Sequence, residues 1–121
     1  MYLVSVNKLR KLLFLSLAGN VRADELVKGR EEIEILLADF PTGFRLISDL
    51  SQLDTIDPDC VPEIGLVMEL CDQKGVELII RVIPDPSKDI GLNILSLFHY
   101  PRRPRTIVCD NLADALKIIP I

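Results

Sequence analysis

Leu46-Ile47-Ser48-Asp49-Leu50-Ser51-Gln52-Leu53-Asp54-Thr55-Ile56-Asp57-Pro58-Asp59-Cys60-Val61-Pro62-Glu63-Ile64-Gly65-Leu66-Val67-Met68 is the stretch on which the reading of this chain turns. Phe44 to Asp49 reads as a short buried strand that ends at an aspartate. A turn follows, and the acidic residues Asp54, Asp57 and Asp59 lead into an apolar helix. Val61, Ile64, Met68 and Cys71 share one face of that helix. Asp57 or Asp59 is expected to cap it, with Pro62 tolerated in its first turn. A helix N-terminus is thereby set at the carboxyl end of a strand, where open α/β sheets carry their binding surfaces.

Upstream, Tyr2 to Val6 alternates apolar and polar residues, as a half-buried strand does. Asn7 to Arg10 is a polar turn and Lys11 to Ala18 a second, Leu-rich strand, which makes a hairpin; Gly19-Asn20 is expected to end it. Lys8, Arg10 and Lys11 before Leu12 to Ala18 have the outline of a signal sequence. The apolar run is short, however, and Tyr2 to Val6 is apolar ahead of the charges, so a core strand is the expectation. Ala23 to Ala38 is a helix with Leu26, Ile33 and Leu37 on one face, opened by Asp24 and Glu25 where negative charge is favoured. Phe40 to Gly43 stops it.

Downstream, Gly75 is the stop of the helix that begins near Cys60. Val76 to Ile83 is a nearly continuous apolar strand, interrupted by Arg81, of the kind covered on both faces. Pro84 to Ser87 breaks it. Ser87 is expected to cap a helix that buries Ile90, Ile94 and Phe98. Tyr100 to Pro104 is a stiff loop and Thr106 to Cys109 the last strand. Asp110 is expected to cap a closing helix with Leu112, Ala115, Leu116 and Ile119 inward. Strands alternating with helices imply right-handed crossovers and a mostly parallel sheet of four or five strands, mixed because of the N-terminal hairpin.

The 121 residues suit one domain, residues 1–121, and 49% hydrophobic with 26% charged residues is the balance of a soluble globular protein. A net charge of −4 argues against a nucleic-acid partner, which needs a basic excess. Three cysteines, Cys60, Cys71 and Cys109, without a C-x-x-C pair, and a single histidine, His99, argue against a zinc site or a disulfide framework. A reducing cytoplasm fits this usage. No stretch approaches the ~18 apolar residues of a membrane span, and no cofactor motif is present.

Element order and the Asp49 to Asp57 segment together resemble the STAS family, named for sulfate transporters and anti-sigma factor antagonists. That family has a strand ending in Asp-Leu-Ser, then Asp-Ser-Ser-Gly-Leu-Gly opening a helix. Asp49-Leu50-Ser51 matches the first element and Asp57 the aspartate of the second. Gly19 matches the glycine before the first helix, and Asp110 to Leu116 resembles the closing helix. The resemblance implies a STAS-like α/β sandwich with about four helices and a non-catalytic regulatory module that binds a protein partner. In anti-sigma factor antagonists the serine after that aspartate is phosphorylated; Pro58 stands there instead. Proline carries no phosphate, and Asp59 offers less charge than the ~2 units of a phosphate. Thr55 or Ser87 would be the displaced regulatory residues.

The docking surface expected on this basis is Asp57, Pro58, Asp59 and Cys60, flanked by Asn20 to Asp24 and by Asp85 to Ser87. These loops should converge because each joins the carboxyl end of a strand to a helix. Simple capping accounts for the same aspartates. Cys60 with His99 as its base would make a small enzyme of the same edge, whereas a deep apolar cavity would make it a lipid-binding relative. The basic loop His99 to Arg105 reads equally as an anion or partner contact and as a solvated cluster. A Leu/Ile-rich third helix leaves a homodimer open.

Overall fold

In the computed structural model, which describes residues 1–119, the elements follow in the expected order: β1 (Tyr2–Asn7), β2 (Leu12–Val21), α1 (Ala23–Leu37), β3 (Arg45–Ile56), α2 (Val61–Gln73), β4 (Leu78–Val82), α3 (Asp89–His99), β5 (Arg105–Cys109) and α4 (Leu112–Ile118). The last two residues of the expected 1–121 domain lie outside the described residues. The strands form one sheet in the order β1-β2-β3-β4-β5, with β1 antiparallel to β2 and the other pairs parallel. The segment with the outline of a signal sequence is β2.

Each parallel crossover steps to the next strand in the same direction. Right-handed connections therefore place α1, α2 and α3 on one face of the sheet, where α2 touches both of the others. Alternation along the strands then sorts the core. Leu13, Leu46 and Ile79 are in register across β2, β3 and β4 and meet Ile33, Leu37, Met68 and Cys71 beneath the three helices. Their neighbours Ile47 and Ile80 point to the other face, where Ala115 and Ile119 cover them. Burial on both faces explains why β4 reads as an apolar run broken only by Arg81.

Turn chemistry follows known rules, though not always with the expected residue. Gly75 ends α2 at φ +89°, with Gly75 N–H donating to Asp72 O and Val76 N–H to Cys71 O. These are the two bonds of a Schellman motif, and only glycine adopts that φ without strain. Three expected caps are corrected. Neither Asp57 nor Asp59 caps with its side chain. Asp85, not Ser87, accepts at the turn before α3, from both Ser87 N–H and Ser87 Oγ–H. Asn111, not Asp110, accepts from Asp114 N–H at the start of α4. In each of the last two the residue in extended backbone is the one whose side chain reaches forward to the orphan N–H.

Two larger corrections concern β3 and α3. Strand β3 does not end at Asp49 but continues to Ile56, and β2 does not end at Gly19-Asn20 but continues to Val21. Secondly, α3 does not bury Ile90, Ile94 and Phe98, which are 63%, 52% and 76% exposed. Leu92 and Leu95 pack on the core instead, and Asp89, Asn93 and Ser96 on the flank toward β4 are all bonded to Arg81 (Nε to Asp89 Oδ1 at 2.8 Å, a terminal nitrogen to Ser96 Oγ at 3.2 Å and the other to Asn93 Oδ1 at 3.3 Å). Arg81 is 3% exposed. A buried guanidinium needs a carboxylate and further acceptors, and only the polar side of α3 supplies them.

Candidate functional site

The carboxyl ends of β2, β3 and β4 are neighbours, so the turns that follow them lie along one edge of the sheet. Beyond Asp49 the edge is stepped. Pairing of β3 with β4 stops at Asp49↔Val82, while pairing with β2 runs on to Val21↔Ile56. A two-stranded overhang results. Within it β3 uses one residue more than β2 between Ser16↔Asp49 and Ala18↔Gln52, and again between Gly19↔Leu53 and Asn20↔Thr55. Such bulges bend and twist a strand. The first is fixed locally: Asp49 Oδ1 accepts from Ser51 N–H at 3.0 Å and from Ser51 Oγ–H at 2.6 Å. That side chain–backbone bond is the reason Asp-Leu-Ser imitates the end of a strand on paper.

The expected site residues fall into two groups. Asn20 and Asp57 sit together at the tip of the overhang: Asn20 is paired with Thr55 in backbone and side chain, and Asp57 N–H donates to Val21 O at 3.1 Å. Asp57 O accepts from Cys60 N–H at 2.9 Å, closing one turn of 3₁₀ helix over Pro58–Cys60 that leads into α2. Pro58 and Asp59 face solvent, and Cys60 is buried beneath them with its thiol 3.5 Å from Val21 O. Asp24 lies beside this group, exposed and paired with Arg22 at 3.3 Å. Asp85 and Ser87 form the second group, on the lower step at the end of β4. The link between the steps is Lys88, whose ammonium donates to Leu53 O at 3.2 Å.

Charge chemistry separates the acidic surface from the thiols. Ser87 bonds hold the Asp85 carboxyl below the usual range. Burial, and then the Asp57 carboxylate, push the Cys60 thiol up, so it is held protonated. Burial raises Cys109 as well and lifts Cys71 to about 12. His99 meets Glu69 of α2 through Nδ1, and its ring lies against Gly65, where a Cβ would stand 2.7 Å from Nε2. Cys60 and His99 thus have separate partners. Among the described residues no group of three or more His, Cys, Asp and Glu is arranged to hold a metal ion, and no helix is long and apolar enough to cross a membrane.

Two depressions adjoin the edge. One of about 220 Å³ lies between the overhang and the start of α3, bordered by Leu53, Thr55 and Lys88. The other, about 70 Å³ and almost wholly apolar, lies deeper between the sheet and the helices and shares Leu50, Ile56 and Leu92 with the first. Ligand pockets are usually ≈ 300–1,000 Å³, so neither is the deep cavity that an intact lipid tail needs.

Comparisons with known proteins bear on the fold. No family model matches the chain, and no curated protein matches it. Solved structures do. An uncharacterised protein with a SpoIIAA-like fold from Shewanella loihica PV-4 superposes with a TM-score of 0.74 at 13% identity, covering 98% of this chain and 93% of that one. The anti-sigma factor antagonist SpoIIAA in its unphosphorylated form gives 0.66 at 13% identity over the whole of both chains. An anti-sigma factor antagonist from Mycobacterium paratuberculosis gives 0.60 at 17% identity, covering 100% and 94%. Five strands in sequential order, an N-terminal hairpin, three helices on one face and one on the other are therefore the SpoIIAA-like, STAS-type fold of the anti-sigma factor antagonists.

Proposed function

We propose that this chain is a non-catalytic regulatory module that docks a protein partner through the turn Asp57–Cys60, with Asn20, Asp24, Asp85 and Ser87 at its margins. The observation that carries the reading is a solvent-facing acidic turn held rigid from below: Asp57 N–H and the Cys60 thiol both bond to Val21 O, on a SpoIIAA-like frame. A surface fixed before contact loses little entropy on binding. Pro58 removes the hydroxyl that a phosphoswitch at this place would need, so docking is constitutive or is governed from Thr55 or Ser87. Three buried free thiols support a reducing, cytoplasmic setting.

The test is recovery of the partner from a native lysate. Wild-type chain is expected to retain a discrete protein that Asp57→Ala with Asp59→Ala loses. Recovery unchanged by that double substitution would refute the surface. Incubation with ATP and lysate followed by mass spectrometry locates any regulatory phosphate: Thr55 or Ser87 is expected, and a chain never phosphorylated is constitutive.

A further inference from the structure

We propose a second interaction surface, adjoining the docking edge at Lys88: the outer face of α3, seated on a membrane surface that bears anionic lipid. Ile90, Ile94, Leu97 and Phe98 recur at helical spacing and are 63%, 52%, 63% and 76% exposed. The stripe they form carries no polar side chain. It is not a matter of loose packing, because the Arg81 bonds to Asp89, Asn93 and Ser96 fix which side of the helix points in. Contiguous exposed apolar surface of this kind marks an interaction site.

Charge decides among the occupants. Lys88 stands exposed at one end of the stripe, with the Asp85 carboxylate near it, and Arg102, Arg103 and Arg105 stand exposed at the other, where among the described residues only Arg102 is paired with an acid, Asp72 at 4.0 Å. Arg103 borders the same shallow depression as Leu97. The chain as a whole is acidic, yet its acidic helix α1, with Glu31, Glu32 and Glu34 exposed, lies on the far side of α2. A cationic rim around an apolar ridge matches an anionic bilayer, with the ridge in the acyl boundary and the cations among the head groups. A second copy fits less well. Stacked in parallel, two α3 helices bring the arginines of one onto those of the other; stacked antiparallel, they bring them onto Lys88. An acidic protein groove would satisfy the charges too. A fluid layer, however, takes up four exposed apolar side chains without needing a partner of matching shape.

Co-sedimentation of the full chain with vesicles of phosphatidylcholine, with and without phosphatidylglycerol, is the test. Binding is expected to the anionic vesicles only, and to weaken with salt. Removing Arg102 and Arg103 together (both to Gln) is expected to weaken it by about five-fold per cation. Ile94→Ser with Phe98→Ser is expected to lower binding at least ten-fold, roughly, with an unchanged circular dichroism spectrum because both side chains are exposed. Three results would overturn the proposal: no binding to the anionic vesicles, equal binding to neutral vesicles, or binding indifferent to the double serine variant; a dimer that this variant dissociates in the ultracentrifuge would assign the face to a second copy instead. Loss of vesicle binding leaves partner recovery through Asp57 and Asp59 unaffected, so the two surfaces are tested separately.

Discussion

Helices α2 and α3 lie side by side on the same face of the sheet, and both carry an apolar stripe at helical spacing. In α2 the stripe goes inward, with Met68 and Cys71 in the core. In α3 the apolar residues divide: Leu92 and Leu95 pack on the core, while Ile90, Ile94, Leu97 and Phe98 go outward. The difference comes from β4. Both helices pack on the cluster that holds Leu46 and Ile79, but α3 must also meet Arg81. Apolar burial contributes about 1.5–3 kcal/mol per large side chain, whereas a guanidinium taken from water without a partner costs several. One arginine therefore outweighs the ordinary preference of a short helix.

The sharpest way to break this comparison is Asp89→Ala, which leaves Arg81 buried without its carboxylate. A loss of about 3–5 kcal/mol is expected from urea unfolding. A loss below 1 kcal/mol, by rough reckoning, would mean that the ion pair does not orient α3. Matched truncations sharpen the contrast between the helices. Met68→Ala in α2 is expected to cost about 2–5 kcal/mol, and Ile94→Ala in α3 to stay within about 0.5 kcal/mol of wild type. Equal costs would show that Ile94 is buried after all.

The seam between the helices gives a smaller effect. Gly65→Ala places a methyl group against the His99 ring, and a cost of about 1–3 kcal/mol is expected from overpacking. Restoration of stability by His99→Ala in the same chain would confirm the contact; no restoration would place the strain elsewhere. The smallest effect is in pH dependence at the turn before α3. The Asp85 carboxyl is lowered by its bonds to Ser87. Its contribution is therefore present above the unfolded carboxylate range and is lost as pH falls through the lowered folded value. Asp85→Asn is expected to flatten that acid limb of the unfolding midpoint and to leave the neutral-pH end little changed.

Much of this was legible in the chain. The helices, the hairpin and the parallel strands follow from periodicity, and Gly75 marks its stop because a left-handed residue is needed there. The turn at Asp57 to Cys60 was placed correctly because Pro58 and Pro62 restrict where a helix starts. The length of β3 was not legible. Asp49-Leu50-Ser51 offers the backbone a local side-chain bond that looks like a strand end, while the continuation depends on pairing with β2, a partner about thirty residues away. The caps of the last two helices were misassigned by one or two residues, since Asp85 and Ser87, and Asp110 and Asn111, stand close together and only backbone angle separates them.

By itself the sequence determined the order of elements, the apolar material of both core faces and a proline, which bears no hydroxyl, at position 58. These are properties of local spacing and side-chain chemistry. Tertiary structure alone decided the overhang of β2 and β3, the separation of Cys60 from His99 and the outward face of α3. The first two depend on partners distant in the chain; for α3 the partner is Arg81 of the preceding strand, a single buried charge that must be met by Asp89, Asn93 and Ser96.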